Sequence, residues 1–355
     1  MPKRILIADD SALVRGFLVR LLEHDPRFEV AGIAHDGRAA VERVRVGQYD
    51  AVVLDVEMPR LNGLEALSEI REIAPSLPVL MFSQHTERGA KIAIEALSRG
   101  AADYVTKPSA RLRDLSRENV TAELLAKLLA VTSRAPNVTP LRPRPSPLSS
   151  TAPEVIVLAA STGGPRALDV VLRTIPRWLP VPVLIVQHMP ALFTTHLANR
   201  LHESAPLPVS EARDGALIEP GRVYIAPGDR HLRVLRIGET RRLRVVEEPP
   251  VQGCRPSADV LFGSASDAWG PGVLAAVLTG MGRDGTEGAR QIVERGGRVI
   301  AQDQATSTVW GMPGQVAKEG LAEELVALPD VGRALVSRVV AGIRRAEGRS
   351  VDGRR

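Results

Sequence analysis

Three side chains able to form a serine hydrolase site lie in the second half of the sequence, each just after an apolar run. Ser161 follows VIVLAA, His188 follows VPVLIVQ, and Asp284 lies in TGMGRDG, just past VLAAVLT. A serine nucleophile needs a base that takes its proton and an acid that orients the base. Short apolar runs predict buried parallel strands, and functional groups collect beyond the carboxyl ends of such strands. The spacing therefore indicates a catalytic triad in the chain order Ser, His, Asp.

Ser161 has two other interpretations. In ASTGGPRAL, Pro165 is a natural first residue of a helix, which would make Gly164 the N-cap and leave Ser161 too early to cap. The two glycines could instead form a phosphate-binding loop, but neither G-x-x-x-x-G-K-[ST] nor G-x-G-x-x-G is present. Both interpretations are weakened by these counts, and neither is excluded.

The other two members of the triad also have rivals. Asp284 fits a capping box of its own helix, with Glu287 three residues on. His231, beyond VYIAPGD, is a second candidate base at a strand end, and Cys254 is a candidate nucleophile without an evident partner. From spacing alone these alternatives stay open.

A second group of polar side chains lies at the predicted strand ends of the first half. Asp9 and Asp10 follow ILIA, Asp55 lies in AVVLDV, Ser83 ends PVLMFS, and Lys107 lies in DYVTKP. Three acids on one edge repel one another unless a cation lies among them, and such oxygen ligands suit Mg²⁺. A metal-assisted site can transfer a phosphoryl group to a carboxylate, with a lysine offsetting the charge and a hydroxyl binding an oxygen. Helix capping would explain one acid of the first pair but not Asp55 or Lys107.

The elements that would position these residues repeat in both halves of the chain. Apolar runs alternate with amphipathic stretches, which predicts parallel sheets covered by helices on both faces. The runs span residues 5–9, 28–34, 51–56, 78–83 and 103–108, then 154–160, 181–187, 223–227, 273–279 and 298–303. Residues 232–248 indicate a β-hairpin that turns near Gly238. Residues 133–153 contain six prolines and predict an interdomain linker. The fold class is therefore α/β, with two doubly wound parallel-sheet domains and a hairpin excursion.

Composition limits the class of protein. The 355 residues suggest two domains, and aromatic residues, at 3%, are too few for base-stacking surfaces. The net charge of +5 comes from interleaved acids and bases, which indicates a mixed solvated surface. A single cysteine forms no intrachain disulfide, and no apolar run reaches the roughly 18 residues of a membrane span. We expect a cytoplasmic protein.

The first half resembles the response-regulator receiver family through IADDSALVR, VVLDVEMPRLNGLEAL and DYVTKP. The resemblance implies a domain at residues 1–125 with the flavodoxin-like strand order 2-1-3-4-5, in which a histidine kinase phosphorylates Asp55. It also implies a Mg²⁺ site and phosphoryl contacts, formed by Asp9, Asp10, Asp55, the backbone carbonyl of Glu57, Ser83 and Lys107.

The second half resembles the CheB-type chemotaxis protein-glutamate methylesterase family. The matching stretches are ASTGGPRAL, VQHMPALFTTHLANRL, VYIAPGDRHL, RPSADVLF, LTGMGRDGTEGA and AQDQATSTVWGMP. The resemblance implies a Rossmann-like esterase domain at residues 154–345 and assigns the triad to Ser161, His188 and Asp284. It places oxyanion-binding amides near the serine and at Met281, with Thr162 lining the site.

Together the two resemblances imply a phosphorylation-regulated hydrolase. It would remove methyl esters from glutamates of chemoreceptor helices, release methanol, and deamidate receptor glutamines. A chemotaxis histidine kinase would be the phosphodonor, Mg²⁺ would bind the receiver, and the esterase domain would need no cofactor. We expect neither nucleic-acid binding nor membrane insertion. The alternative is a response regulator whose output domain is not an enzyme and binds a partner or DNA, although the second half shows no helix-turn-helix pattern.

Overall fold

The computed structural model of the chain describes residues 1–84, 86–107, 115–133 and 151–352. The proline-rich segment predicted as a linker, residues 133–153, lies mostly outside the described residues. Only residues 133 and 151–153 of it are described. Contacts divide the chain into two compact units, Met1–Arg134 and Ala135–Arg355. No helix within the described ranges is long and apolar enough to cross a bilayer.

The first unit is built on a parallel sheet of five strands in the order β2-β1-β3-β4-β5. The predicted α/β class and strand order are confirmed. Its elements are β1 Lys3–Ala8, α1 Ala12–Glu23, β2 Phe28–Ala34, α2 Gly37–Val46, β3 Ala51–Asp55, α3 Gly63–Ile73, β4 Val79–Ser83, α4 Glu87–Ser98, β5 Asp103–Thr106 and α5 Leu115–Thr132.

The helices that follow β1 and β3 are capped by residues other than the acids at the strand ends. The side chain of Ser11 caps α1 by accepting a hydrogen bond from the Val14 amide, so capping does not explain Asp9 or Asp10. Asn62 and Glu65 form a complete capping box at α3, directly after the loop that follows β3. All residues of β3 and β4 are buried, as expected for central parallel strands.

The second unit contains a parallel sheet of seven strands in the order β14-β13-β12-β6-β7-β9-β8, and the separate hairpin β10-β11. Its first elements are β6 Val155–Ala160, α6 Gly164–Thr174, β7 Val183–Gln187, α7 Ala191–Ser204, β8 Val209–Glu211, β9 Val223–Ile225, β10 His231–Ile237 and β11 Thr240–Val246. They are followed by α8 Ala258–Trp269, β12 Val273–Val277, α9 Thr286–Glu294, β13 Arg298–Gln302, α10 Met312–Lys318, β14 Glu324–Val326 and α11 Leu328–Asp352. The hairpin confirms the predicted antiparallel excursion, whereas β8 and β14 were not predicted because these short strands, VSE and ELV, contain polar residues and form no apolar run.

Strand pairing brings three loops to one edge of this sheet. Central strand β6 pairs with β7 on one side and with β12 on the other, so that Ala160 lies opposite Gln187 and Ala159 opposite Val277. All residues of these three strands are buried. The loops that leave their carboxyl ends are therefore neighbours on a rigid support.

Two glycines of the first unit should respond oppositely to replacement by alanine. A Cβ at Gly63 would lie 2.1 Å from the backbone oxygen of Asp55, whereas a Cβ at Gly16, inside α1, meets nothing within 4 Å. We expect Gly63→Ala to lower the free energy of unfolding by about 1–3 kcal/mol because backbone must move. We expect Gly16→Ala to raise it by about 0.5–1 kcal/mol through helix propensity.

Urea titrations of the full chain measure both changes. All three tryptophans, Trp178, Trp269 and Trp310, belong to the second unit, so their fluorescence follows that unit while far-UV circular dichroism follows both. A stabilised Gly63→Ala protein would contradict the close approach of α3 to the end of β3.

Candidate active site

Ser161 lies in the tight loop between β6 and α6. Its amide donates to the carbonyl of Thr279, and its carbonyl accepts from the Gly164 amide at 2.7 Å. Helix α6 has Gly163 as its N-cap, with a φ of +78°, so the helix starts one residue earlier than predicted and Pro165 is its second residue. Ser161 therefore does not cap this helix.

Buried Gln187 links the loops that carry the candidate nucleophile and base. Its Nε2 lies 3.0 Å from the carbonyl oxygen of Ser161 and 3.3 Å from that of His188, and donates to both. A Cβ at Gly164 would lie 1.9 Å from Gln187 Oε1, so a glycine is needed there for the side chain to fit. The two loops are thus held at a fixed distance by one amide group.

Three backbone amides near the serine in sequence or in space have no recorded acceptor. Among the described residues these are the amides of Thr162 and Gly163, which follow Ser161, and of Met281, which follows Gly280. A Cβ at Gly280 would lie 2.8 Å from the Ser161 Cβ and 2.4 Å from the Met312 sulfur, so the loop packs against the serine only with glycine there. Free amides beside a serine are what an oxyanion site requires.

His188, which is partly buried, and buried Asp284 form a close pair. The distance from His188 Nε2 to Asp284 Oδ2 is 2.7 Å, and the His188 amide donates to the carbonyl of Ala160. Because Nε2 is engaged by the carboxylate, Nδ1 is the ring nitrogen that remains for proton transfer. The structure records no hydrogen bond between the Ser161 hydroxyl and His188 within the described ranges, although the two residues follow directly from paired strands.

The amino terminus of α8 surrounds Asp284. The two carboxylate oxygens of Asp284 accept hydrogen bonds from the Ser257 hydroxyl at 2.7 Å and from the backbone amides of Ala258, Asp259 and Gly285. Asp284 thus supplies the side-chain cap that Ser257, the N-cap residue of α8, does not supply. The capping-box prediction is wrong: α9 has Gly285 as its N-cap, and Asp284 caps a different helix.

This environment shifts the pKa values of both His188 and Asp284. Burial alone would raise the pKa of Asp284, but its hydrogen bonds from His188, Ala258 and Ser257 hold that pKa below its usual value. Burial alone would lower the pKa of His188, but hydrogen bonds to Asp284 and to Cys254 raise it to about 9. The pair is therefore arranged to stabilise an imidazolium.

His231 and Cys254, the alternative base and nucleophile, both lie near the pair of His188 and Asp284. His231 is fully buried, its Nδ1 accepts from the Ser257 amide, and its Nε2 donates to the carbonyl of Pro249. Both nitrogens are used, so His231 positions Ser257 and is not a free base. Cys254 does have a partner: its sulfur lies 3.8 Å from His188 Nδ1. Spacing gave no signal for this contact, because 66 residues separate the two.

The first unit brings its predicted residues together as well. Ligand oxygens of Asp9, Asp10 and Asp55 lie within 4.8 Å of one another, and Lys107 Nζ lies 2.8 Å from both Asp9 and Asp55. Burial, with the Asp9 charge, raises the pKa of Asp55 to about 6, against the opposing effect of Lys107. Burial alone would lower the pKa of Lys107, but the two carboxylates raise it.

The other predicted phosphoryl-site residues lie around this cluster. The buried Ser83 hydroxyl donates to the carbonyl of Gly89 at 3.0 Å, and so faces the start of α4. The Glu57 amide donates to Asp55 Oδ1 at 3.3 Å, and the Glu57 side chain pairs with Arg88. These contacts place the backbone of Glu57, and not its side chain, beside the Asp55 carboxylate.

Comparisons with known proteins agree with both units. The CheB methylesterase family model matches residues 156–335, and the response regulator receiver domain model matches residues 5–117. A protein-glutamate methylesterase/protein-glutamine glutaminase of a Nocardioides species is 45% identical over 350 residues, 95% of each chain. One from Trichodesmium erythraeum is 41% identical over 96% of this chain and its own full length.

A solved structure resembles the second unit. The crystal structure of the Thermotoga maritima CheB methylesterase catalytic domain is 38% identical, with a TM-score of 0.52, and the match covers 53% of this chain and 99% of that one. The matched fold, the two family models and the relatives that span nearly the whole chain lead to one assignment. The chain belongs to the CheB methylesterase family, with a response regulator receiver domain ahead of the methylesterase domain.

Proposed function

We propose that the protein is a phosphorylation-regulated esterase that hydrolyses glutamate γ-methyl esters on chemoreceptor helices and also deamidates receptor glutamines. The observation that carries the proposal is the 2.7 Å pair of His188 and Asp284 beside the Ser161 loop. Relatives that span the chain bear the names of both activities, which supports the choice of substrate. The enzyme acts in the cytoplasm, with residues 1–125 as the receiver, 133–153 as the linker and 154–345 as the catalytic domain.

In the proposed reaction, Ser161 Oγ attacks the ester carbonyl while His188 Nδ1 accepts the hydroxyl proton. Asp284 holds the Nε2–H tautomer and stabilises the imidazolium that forms. His188 then gives its proton to the departing methoxide, which leaves as methanol. Water attacks the acyl-enzyme with His188 again as base, and the products are the glutamate carboxylate and free Ser161. For a glutamine the leaving group is ammonia, and the steps are the same.

The oxyanion of the tetrahedral intermediate would be bound by backbone amides. Those of Thr162, Gly163 and Met281 have no acceptor within the described residues, which supports this role. Loss of one such donor typically costs about 10²–10³ in rate. Thr162 lines the site from the serine loop, and Met281 is 41% exposed, so its loop is accessible to a protein substrate.

The receiver would be switched at Asp55. The clustered oxygens of Asp9, Asp10 and Asp55 fit Mg²⁺, and Asp9 Oδ2 has no hydrogen bond of good geometry in the described ranges although Lys107 Nζ is 2.8 Å away. Glu57 would add its backbone carbonyl, as the family resemblance implies. Bound Mg²⁺ supplies positive charge for the incoming phosphoryl oxygens. Asp55 accepts the phosphoryl group from a chemotaxis histidine kinase.

Two groups of the chain would respond to the phosphoryl group. Lys107 loses its ion pair with one Asp55 oxygen and gains a phosphoryl oxygen, so its charge stays compensated. The Ser83 hydroxyl exchanges the carbonyl of Gly89 for a phosphoryl oxygen and releases its present contact with α4. This exchange gives phosphorylation a route to change the receiver surface.

Ser161→Ala should reduce methanol release from methylated receptor membranes by about 10⁴-fold or more, because the nucleophile is lost. Phosphorylation of Asp55 and the circular dichroism spectrum should stay as in the unchanged protein, which separates loss of chemistry from loss of fold. Methanol release near the wild-type rate would contradict the triad.

Ser257→Ala should lower kcat by about 10- to 100-fold, because Asp284 loses a charge-assisted hydrogen bond that positions it for His188. Ser266→Ala is the matched control: it changes a buried serine of the same helix whose hydroxyl donates to the carbonyl of Gln291. Both changes should lower the free energy of unfolding, but only Ser257→Ala should lower kcat. Equal kcat values for the two variants would show that the carboxylate contact has no positioning role.

A small-molecule phosphodonor with Mg²⁺ should raise the rate of methanol release by about 5-fold or more in the full chain, within the usual range of coupling between sites. Asp55→Asn should abolish the increase, whereas Asp50→Asn, which changes a half-exposed acid just before the same strand, should keep it. An unchanged response in Asp55→Asn would reject Asp55 as the phosphoryl acceptor.

A further inference from the structure

Cys254 is held beside the catalytic histidine by a closed turn. The amide of Val251 donates to the carbonyl of Cys254 and the amide of Cys254 donates to the carbonyl of Val251, at 3.1 and 2.9 Å. The two residues between them, Gln252 and Gly253, have φ values of +51° and +78°, the signs that a type I′ turn requires. The thiol is therefore presented to His188 from a fixed backbone.

Nδ1 of His188 is the ring atom that lies 3.8 Å from the Cys254 sulfur. Asp284 binds the Nε2–H, so Nδ1 carries the proton that titrates, and its lone pair is available to a ligand once that proton leaves. The carboxylate of Asp284 already accepts five hydrogen bonds, three of them from the start of α8, one from Gly285 and one from His188. Asp284 thus has no free oxygen for a metal but fixes the ring, as outer-shell carboxylates do for histidine ligands of zinc.

The distance between the two free donor atoms matches a zinc site. Bonds of about 2.0–2.1 Å to nitrogen and 2.3 Å to sulfur at a tetrahedral angle separate the two ligands by about 3.6 Å. The observed 3.8 Å requires a shift of only a few tenths of an ångström. The same three residues place a nitrogen, a sulfur and a carboxylate oxygen within 4.8 Å of one another. Imidazole and thiolate are both preferred ligands of Zn²⁺.

We propose that Zn²⁺ binds between His188 Nδ1 and Cys254 Sγ and reversibly inhibits the esterase, with solvent in its remaining positions. On binding, the thiol proton and the Nδ1 proton of the imidazolium pass to the buffer, so that the sulfur binds as thiolate and the ring as neutral imidazole. The metal occupies the lone pair that has to accept the Ser161 proton, so hydrolysis stops while it is bound. The effect on hydrolysis rests on the proposed function, whereas the metal site itself does not.

The test uses the full chain in excess Mg²⁺, so that the carboxylate cluster of the receiver is filled. Zinc chloride should lower methanol release by about tenfold or more, because the base is withdrawn, and EDTA should restore it. Cys254→Ser removes the sulfur with little change in volume, and its remaining activity should be insensitive to the same zinc concentration. Fractional inhibition in Cys254→Ser equal to that of the unchanged protein would overturn the proposal.

A second readout is independent of hydrolysis. Cobalt chloride should give a thiolate-to-Co²⁺ charge-transfer band in the unchanged protein and in Ser161→Ala, and no band in Cys254→Ser or His188→Gln. If this pattern appears but the unchanged protein releases no methanol, the metal site stands and the proposed function fails. If methanol is released but no band depends on both Cys254 and His188, the metal site fails and the proposed function stands.

Discussion

The carboxylate of Asp284 is buried, and an ionised carboxylate away from water is tolerated only when hydrogen-bond donors surround it. The start of α8 supplies most of these donors, and the helix dipole favours a negative charge at the same place. In return, the carboxylate caps that helix. One interaction therefore fixes the position of α8, keeps the pKa of Asp284 low and fixes the tautomer of His188.

The other parts of the site depend on the same support. Nδ1 of His231 accepts a hydrogen bond from the Ser257 amide, which positions Ser257 so that its hydroxyl donates to Asp284. Gln187, the last residue of β7, links the Ser161 and His188 loops through its side-chain amide. The Ser161 loop and His188 are thus held in place through their backbone carbonyls. The three loops also leave adjacent strands, and this rigid support limits how far Ser161, His188 and Asp284 can move apart.

Much of this arrangement follows from sequence pattern, and the remainder does not for physical reasons. Strand β2 has the predicted limits, and the strand ends bring Asp9, Asp10, Asp55 and Lys107 together as their apolar runs predict. The three-residue strands β8 and β14 contain polar residues and form no apolar run, unlike the equally short β9, in which all three residues are apolar. The cap of α8 was missed because the capping carboxylate, which accepts from the helix amides, lies in another loop, 27 residues beyond Ser257. Local capping rules compare neighbours in sequence, whereas this cap, like the Cys254 contact, depends on packing between distant loops.

The carboxylate cluster of the receiver and the pair of His188 and Asp284 balance the charge of their buried carboxylates with different cations. The choice of cation follows from the chemistry proposed for each site. In the receiver, Lys107 balances Asp9 and Asp55, and its raised pKa keeps it charged, as the proposed phosphoryl transfer would require. In the methylesterase domain, His188 balances Asp284, and in the proposed mechanism its charge would change within every turnover. A side chain that stays protonated cannot accept a proton as a base. A side chain that loses its proton near neutral pH would not reliably balance the charge of a phosphoryl group. The same sheet geometry therefore carries a lysine where charge must persist and a histidine where charge must move.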